Sequence, residues 1–200
     1  MRKDFVYLAS ASPRRGELLR QIGVSFQVRA AAIPEDPLPA EAPADYVQRL
    51  AKAKARAVAA LLAPNERRPV LAADTAVVLD GELLGKPADT AEALGMLERL
   101  SGRSHRVLTA VALDCGTEVE SLRSDSEVRF RATTAAERLA YCATGEPFDK
   151  AGGYGIQGHA AVFVESLQGS YSGVVGLPLF ETAALLARAG VDFWLTARAA

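Results

Sequence analysis

An almost unbroken apolar run extends from Val70 to Leu79 and is followed directly by Asp80-Gly81. A run of this length and composition is typical of a strand that is buried on both faces. Asp-Gly is a strong signal for the two-residue turn of a β-hairpin, so the chain should return antiparallel to this strand. Because strand-like and helix-like segments interleave elsewhere in the chain, the sequence favours an α/β fold built on a mixed sheet.

The other periodic segments supply further strands and helices. We predict strands at 5–9, 24–31, 107–113, 119–130 and 160–165. We predict helices at 13–22, 46–63, 90–100 and 177–189, and one more that a capping box at Thr134 opens and Gly145 closes. Asp45 is expected to cap the second of these helices. A chain of 200 residues that is 50% hydrophobic can bury one sizeable core, so residues 1–200 are expected to form a single domain.

Composition and charge disfavour several classes of protein. The 23 basic and 24 acidic residues give a net charge of −1, which is unlike a binder of nucleic-acid polymers or a polybasic membrane anchor. No apolar run approaches the roughly 20 residues that span a bilayer, and the first apolar segment is too short for a signal peptide. Cys115 and Cys142 are interpreted as reduced core thiols of a cytoplasmic protein. His105 and His159 are isolated, so a zinc site is not expected.

The turn from Ser10 to Arg15 is the first candidate for a binding site. Ser12 is a good N-cap residue, and Pro13 fits the first turn of a helix because its missing N–H would have no partner there. Arg14 and Arg15 lie where the helix dipole favours carboxylates, so local stability does not explain them. Free N–H groups, hydroxyls and two guanidinium groups together predict an anion site, most simply for a phosphate chain. The alternative is a solvated arginine pair.

Asp74 is the second candidate, because it is a carboxylate inside a segment that is otherwise predicted to be buried. An unpaired buried carboxylate is costly, so Asp74 needs a cation, a metal ion or a hydrogen-bond network. We interpret it as a metal ligand or general base at the edge of a cleft. The alternative is an aspartate at a strand end that bonds to nearby backbone. The turn that contains Lys86 lacks the spacing and hydroxyl of a P-loop, but the hairpin could bring Lys86 back towards Asp74.

Two glycine-rich loops follow. Residues 146–158 formally match G-x-G-x-x-G, but a polar loop precedes the glycines and a predicted strand follows them, so a dinucleotide fingerprint is rejected. Gln157 is the single amide in this loop and could pair with the Watson–Crick edge of a pyrimidine. The alternative is an incidental glutamine in a surface loop. Residues 169–178 lack the G-x-S-x-G motif of serine hydrolases and could line the same cleft or form an oligomer contact.

Together these segments resemble the Maf family of nucleoside triphosphate pyrophosphatases, also called septum formation inhibitor proteins. The resemblance covers nearly the whole chain and is carried, in this order, by LASASPRR, YVQRLAKAKA, LAADTAVVLDGELLGKP, LSGRSHRVLTAVAL, EPFDKAGGYGIQG and GSYSGVVGLPL. It implies a Maf/ITPase-like α/β fold, in which a mixed twisted sheet flanked by helices forms two lobes around a deep cleft. It also implies a homodimer and a divalent-metal-dependent hydrolase that cuts a nucleoside triphosphate to monophosphate and pyrophosphate.

The resemblance further implies roles for individual residues. Asp74 would be the proton acceptor, and base specificity would be set by Arg14, Thr75 and Gln157. The Asp-Thr pair and the Tyr-Gly-Ile-Gln-Gly segment resemble the subgroup that acts on dTTP and UTP. The cellular roles that this subgroup implies are house-cleaning of the nucleotide pool and arrest of cell division.

A triphosphate carries about four negative charges, so its binding site needs cations from several elements. The candidates that bind it are Ser12, Arg15, Lys54 and Lys86. Glu35 and Asp74 are the candidate ligands of Mg²⁺ or Mn²⁺, although the loop of Glu35 could equally be solvated. The alternatives are a pyrophosphatase for another modified nucleotide such as 7-methyl-GTP, and a nucleotide-binding regulator of septum formation without catalysis. The balanced charge disfavours an RNA-binding module.

Overall fold

The structure is a computed structural model that describes residues 4–194. Its strands are β1 (Val6–Leu8), β2 (Phe26–Val28), β3 (Val70–Leu79), β4 (Glu82–Leu84), β5 (Ser104–Asp114), β6 (Val119–Phe130) and β7 (Val164–Gln168). Its helices are α1 (Pro13–Gln21), α2 (Pro43–Ala60), α3 (Thr90–Leu100), α4 (Ala135–Ala143), α5 (Tyr171–Val175) and α6 (Leu179–Arg188). Short 3₁₀ turns lie at Pro64–Glu66, Glu146–Asp149, Ala151–Gly153 and His159–Phe163.

The strands form one mixed sheet. Their order is β2-β1-β3-β5-β6-β7, and β4 pairs with β3. β1 lies parallel to β2 and β3, whereas the other pairs are antiparallel. Asp80 and Gly81 both adopt positive φ angles, of 54° and 83°, which suits the two-residue turn between β3 and β4. The mixed sheet predicted from the hairpin signal is confirmed.

One edge of β3 borders an opening in the sheet. The register with β1 ends at Leu71, and the register with β4 begins at Val77. Residues 72–76 therefore pair with β5 on one side and face the opening on the other. Asp74 and Thr75 lie in this stretch, and because side chains alternate along a strand, they leave the sheet on opposite faces. The topology thus places Asp74 on one face of the sheet and Thr75 on the other, both beside the same opening.

The first lobe surrounds β1, β2 and the beginning of β3, with apolar clusters on both faces of the sheet. On one face, α2 contributes Val47, Ala51, Ala55 and Val58. On the other face, α1 and α6 contribute Leu18, Leu19, Leu185 and Leu186. These buried stripes fix the orientation of α1 and α2, which carry the candidate cationic residues.

The second lobe contains β4, α3, α4 and the end of β3. Its core includes a group of aromatic side chains in which the rings of Phe130 and Tyr154, and those of Tyr141 and Phe163, meet edge to face. β3 and β5 contribute residues to the cores of both lobes. The two-lobed α/β architecture is therefore built around a pair of shared central strands. Within residues 4–194, no helix is both long enough and apolar enough to cross a membrane.

Most predicted elements are present, but some of their ends differ from the prediction. The prediction that Asp45 caps α2 is wrong, because the helix begins at Pro43 with Ala42 at the N-cap. Proline fits the first helical position, and Asp45 lies in the first turn, where its charge complements the helix dipole. β2 is shorter than predicted, and β5 is longer. The capping box at Thr134 is confirmed, because its hydroxyl accepts a hydrogen bond from the Glu137 N–H.

The predictions for the last third of the chain need three corrections. The strand predicted at 160–165 is wrong, because residues 159–163 form a 3₁₀ turn and the strand β7 begins at Val164, where pairing with β6 becomes available. The segment 169–178, predicted as a loop, contains the short helix α5, whereas the final helix predicted at 177–189 is present as α6. Cys142 is buried as predicted, but the interpretation of Cys115 as a core thiol is wrong because it lies exposed in the turn between β5 and β6.

Candidate active site

A cleft of about 720 Å³ opens between the two lobes. All of the site residues predicted from the sequence line it: Ser12, Arg14, Arg15, Glu35, Lys54, Asp74, Thr75, Lys86 and Gln157. They belong to α1 and the turn before it, the loop before α2, α2 itself, β3, the loop after β4 and the glycine-rich loop before β7. The fold therefore brings separate parts of the chain to one cavity.

At one end of the cleft, a lysine bridges two carboxylates. The Lys54 Nζ atom lies 2.7 Å from Asp74 Oδ1 and 2.8 Å from Glu35 Oε1. Asp74 is only 5% exposed, whereas the side chain of Glu35 is about half exposed. The Tyr46 hydroxyl donates to the Glu35 backbone oxygen at 2.9 Å and so holds the Glu35 loop against α2. This trio carries one positive and two negative charges, which leaves it favourable for a further cation.

The two carboxyl groups of this trio differ in their pKa. Burial raises the pKa of Asp74, and the nearby charge of Lys54 offsets only part of that effect. Burial alone would also raise the pKa of Glu35, but the hydrogen bond and charge of Lys54 outweigh it, so that pKa falls. Asp74 is consequently the better proton acceptor, and Glu35 is the better permanent negative charge.

Arg15 lines the cleft beside Thr75 and is held by three hydrogen bonds. Its Nε donates to the Gly176 carbonyl at 2.8 Å, Nη1 to Ser10 Oγ at 3.0 Å, and Nη2 to Thr75 Oγ1 at 3.4 Å. Burial lowers the pKa of Arg15, while the charge of Asp74 raises it; a guanidinium group remains charged in either case. The network joins α1, β3 and the end of α5 around a fixed positive charge.

Arg14 and Arg15 point in different directions. Arg14 Nη1 lies 3.4 Å from Asp149 Oδ2 on the facing wall of the cleft. Ser12 occupies the N-cap position of α1 with extended backbone, but among the described residues its side chain makes no capping hydrogen bond. Its N–H instead donates to Ser10 Oγ at 3.2 Å. The Ser12 hydroxyl and the first turn of α1 are therefore available to an anion.

Gln157 lies exposed at the rim, in a loop whose N-terminal end is anchored in the second core. The Tyr154 hydroxyl lies 2.7 Å from His105 Nε2, and both residues are buried. Burial lowers the pKa of His105 to about 4, so the imidazole is neutral near pH 7. A neutral ring and a phenol can share one proton in a stable hydrogen bond. This contact fixes the point at which the loop leaves the core.

The C-terminal end of the same loop is anchored by Glu146. This carboxylate accepts hydrogen bonds from Tyr141 Oη at 2.8 Å, from the His159 N–H at 2.8 Å and from His159 Nδ1 at 2.9 Å. A Cβ on Gly158 would lie 2.3 Å from the Glu146 carboxylate, and one on Gly155 would lie 2.7 Å from the Lys150 side chain. A side chain at either glycine would therefore force the Glu146 or Lys150 side chain to move from its hydrogen-bonded position.

The donor set of the cleft fits a hard divalent cation that is shared with a substrate. Within residues 4–194, no group of three His, Cys, Asp or Glu side chains converges as a metal centre. Glu35 and Asp74 nevertheless share the positive charge of Lys54 at hydrogen-bond distance. Mg²⁺ is commonly held by one or two carboxylates together with substrate phosphates and waters. Two carboxylates are therefore sufficient only if a phosphate chain completes the coordination.

Several residues of the site were missed from the sequence. Ser10 and Glu146 lie inside the motifs LASASPRR and EPFDKAGGYGIQG and line the cleft, so their place in those motifs is a sequence signal for the site. Thr109 was missed because only its register opposite Thr75 brings it behind the cleft. Tyr154 was missed because its hydroxyl contacts a residue that is far away in the sequence.

Comparison with known proteins now identifies the family. The model of the Maf-like protein family matches residues 5–189. The chain belongs to the Maf family. A dTTP/UTP pyrophosphatase of Burkholderia pseudomallei is 56% identical to this Maf protein over 200 residues, which are 94% of this chain and 95% of the relative.

A dTTP/UTP pyrophosphatase of Ralstonia nicotianae is 55% identical to this Maf protein, over 93% of this chain and 94% of the relative. Another, from Aromatoleum aromaticum, is 53% identical over 90% of this chain and 93% of the relative. Among solved structures, the Ham1 protein of Staphylococcus aureus covers 62% of this Maf protein and 71% of its own chain, with a TM-score of 0.43 and 14% identity.

Proposed function

We propose that this protein is a nucleoside triphosphate pyrophosphatase that hydrolyses dTTP and UTP to the nucleoside monophosphate and pyrophosphate. Relatives that are more than half identical over most of the chain carry the name dTTP/UTP pyrophosphatase. The observation that carries the proposal is the position of Asp74, a carboxylate with a raised pKa, in the same cleft as Arg15 and the first turn of α1. A general base and an anion site together suit hydrolysis of a phosphoanhydride.

In this proposal the phosphate chain lies along the cationic side of the cleft. Arg15, Lys86 and the Ser12 hydroxyl hold its oxygens, and Lys54 supplies charge beside the carboxylates. Asp74 takes a proton from a water molecule as that water attacks the α-phosphorus. The bond between the α-phosphorus and the bridging oxygen breaks, and pyrophosphate leaves with the electron pair of that bond. Catalysis then rests mainly on positioning and charge stabilisation, as in other phosphoryl transfers.

We propose that Glu35 and Asp74 hold Mg²⁺ or Mn²⁺ together with the substrate phosphates. Such an ion neutralises phosphate charge and polarises the reacting phosphoryl group. The lowered pKa of Glu35 supports this assignment, because a carboxyl group binds a metal ion in its ionised form. The ion pairs of Lys54 with Glu35 and Asp74 support the proposal, because both carboxylates direct their negative charge towards one cation.

Base selection is assigned to the other wall of the cleft. Gln157, Arg14 and Thr75 all line the cleft, and the side chains of Gln157 and Arg14 can offer donors and an acceptor to a pyrimidine edge. A wrong base would leave some of these polar groups without partners, which is strongly unfavourable. We also propose a homodimer, a cytoplasmic location, where nucleoside triphosphates are kept, and a role in house-cleaning of the nucleotide pool.

The deciding experiment incubates the purified protein with each nucleoside triphosphate and Mg²⁺ or Mn²⁺, and identifies the products. We expect dTTP and UTP to yield monophosphate and pyrophosphate. A preference for purine triphosphates, or for 7-methyl-GTP, would reject the pyrimidine assignment. Binding of nucleotides without turnover would instead favour a regulator of septum formation.

The role of Asp74 is tested separately with Asp74→Asn. Loss of a general base should lower kcat about 100- to 10,000-fold, while nucleotide binding persists. Asp114→Asn is the matched control, since Asp114 is a similarly buried aspartate at 7% exposure but lies outside the cleft lining. Turnover by Asp74→Asn at a rate close to that of the control would contradict the assignment.

A further inference from the structure

The loop that carries Glu35 joins β2 to α2 and spans residues 29–42. It contains no helix or strand, and its residues 34–40 are all exposed. Apolar burial therefore does not hold this part of the loop in place. The Glu35 carboxylate nevertheless reaches α2, where it lies 2.8 Å from Lys54 Nζ. The position of this carboxylate has to come from polar contacts between the loop and α2.

Arg49 on α2 supplies a group of such contacts. Its Nε and Nη2 atoms donate to the two carboxylate oxygens of Glu41, at 2.6 and 2.7 Å. The Nη2 atom also donates to the Asp36 backbone oxygen at 3.1 Å, one residue after Glu35. Glu41 in turn accepts a hydrogen bond from the Leu38 N–H at 3.0 Å. One guanidinium group thus ties several points of the loop to α2.

The geometry of these contacts makes them firm. A bidentate pair of guanidinium and carboxylate is stronger and more directional than a single hydrogen bond. The side chain of Glu41 is only 7% exposed, so water competes weakly for its oxygens. Tyr46 lies three residues before Arg49, on the same side of α2, and its hydroxyl donates to the Glu35 backbone oxygen at 2.9 Å. Arg49 and Tyr46 therefore hold two successive carbonyl groups, those of Glu35 and Asp36.

We propose that Arg49 is a positioning residue that keeps the Glu35 carboxylate beside Asp74 and thereby sets the affinity of the cleft for its divalent metal ion. Arg49 does not line the cleft, so it acts through the loop and not by touching the substrate. Groups that orient a metal ligand typically change metal affinity about 10- to 100-fold when they are removed. This inference rests on the proposed role of Glu35 as a metal ligand.

Charge alone predicts the opposite result. Arg49→Met removes a positive charge and leaves Glu41 without its partner, so the surroundings of the cleft become more negative. A more negative surrounding strengthens the binding of a cation. Loss of position weakens that binding instead, because the released loop adopts many arrangements in which Glu35 is turned away from Asp74. The sign of the change therefore separates the two effects.

The test measures Mn²⁺ binding by electron paramagnetic resonance in the presence of α,β-imido-UTP, whose bridging nitrogen prevents hydrolysis at the α-phosphorus. We expect the dissociation constant for Mn²⁺ to rise about tenfold or more in Arg49→Met. The Mg²⁺ concentration that gives half of the maximal rate with UTP should rise by a similar factor. Arg106→Met is the matched control, because Arg106 forms a bidentate pair with Asp125 outside the cleft lining. The control should keep the wild-type dissociation constant.

Two further variants keep the test decisive. Arg49→Lys keeps the charge and a long side chain on α2 but cannot make the bidentate pair, so it should raise the dissociation constant about threefold even if Arg49→Met folds poorly. Glu35→Gln should also weaken Mn²⁺ binding. Adding Arg49→Met to Glu35→Gln should then change the constant by less than about twofold, because the group that Arg49 positions is already lost. Thermal unfolding checks that each variant is folded.

The possible failures are distinguishable. If the wild type hydrolyses neither UTP nor dTTP, the proposed function is wrong, while Mn²⁺ binding still reports on Arg49. If a folded Arg49→Met or Arg49→Lys variant binds Mn²⁺ as tightly as the wild type or more tightly, the role of Arg49 is overturned and the proposed function stands. Equal weakening by Arg49→Met with and without Glu35→Gln would also overturn it, because Arg49 would then not act through Glu35. Unchanged Mn²⁺ binding in Glu35→Gln would overturn the roles of both residues.

Discussion

Removal of the Glu146 side chain should loosen the loop that carries Gln157 without touching the catalytic carboxylate. Glu146 receives three hydrogen bonds, from the Tyr141 hydroxyl and from two nitrogens of His159, at 2.8 to 2.9 Å. The Glu146 side chain is only 15% exposed, so water competes only weakly for its carboxylate oxygens. In Glu146→Ala the C-terminal anchor of the loop is lost, while the anchor between Tyr154 and His105 remains.

The size of the effect follows from the part of the chain that is released. Residues 155–158 lie between the two anchors, and ordering each residue costs about 1 kcal/mol, so the whole segment costs about 4 kcal/mol. Because the Tyr154 end stays fixed, we expect about half of this cost, about 2 kcal/mol, to oppose substrate binding. That corresponds to a rise of about 30-fold in KM for UTP. Since Asp74 and Arg15 lie on other elements, kcat should change by less than about threefold.

The assay is steady-state release of pyrophosphate at varied UTP, with thermal unfolding as a check on the fold. Glu165→Ala is the matched control, because Glu165 accepts a hydrogen bond from Arg129 Nε at 2.9 Å on the surface, outside the cleft lining. The control should retain the wild-type KM. A KM for Glu146→Ala within twofold of the wild type would refute the loop-anchoring argument, and so would a fall in kcat at constant KM.

Two predictions concern stability. Thr182 is fully buried, and within the described structure its hydroxyl oxygen has no hydrogen-bond partner. Thr182→Val should therefore raise the free energy of unfolding, measured by urea titration, by about 1 kcal/mol. A clear loss of stability in this variant would show that the hydroxyl is hydrogen-bonded. Burial lowers the pKa of His105 from 6.5 to about 4, so as the pH falls through 6.5 the unfolded chain takes up a proton that the folded protein does not. The wild type should therefore lose about 2 kcal/mol between pH 7 and pH 5 relative to His105→Gln, and equal pH dependence in the two proteins would contradict the depressed pKa.

The elements that the sequence predicts best are those with a local cause. The bounds of β3 were predicted correctly, since an apolar run that meets Asp80-Gly81 contains both the strand and its end. The capping box at Thr134 likewise involves residues only three positions apart. The strand predicted at 160–165 failed because pairing with β6, which is distant in the chain, decides where β7 begins.

The candidate site was predicted as a set of residues but not as a set of contacts. The motifs indicated that Arg15, Asp74 and Gln157 serve one cleft, and the structure brings them to one cleft. That Lys54 bridges both carboxylates depends on how α2 packs over β3, which no local pattern encodes. The position of Thr109 depends on the β3–β5 register, and a shift of one residue would turn its side chain to the other face.

The central strands have a mechanical consequence. β3 and β5 are ten and eleven residues long, so each runs about 33 Å or more and belongs to both halves of the molecule. Because the two lobes share the hydrogen-bonded strands β3 and β5, they are not joined by a flexible linker. Any change in the width of the cavity has to bend the β3–β5 hydrogen-bond ladder. The width of the cavity is therefore set by the sheet before a nucleotide arrives, and the nucleotide has to fit between the lobes without a large movement of either one.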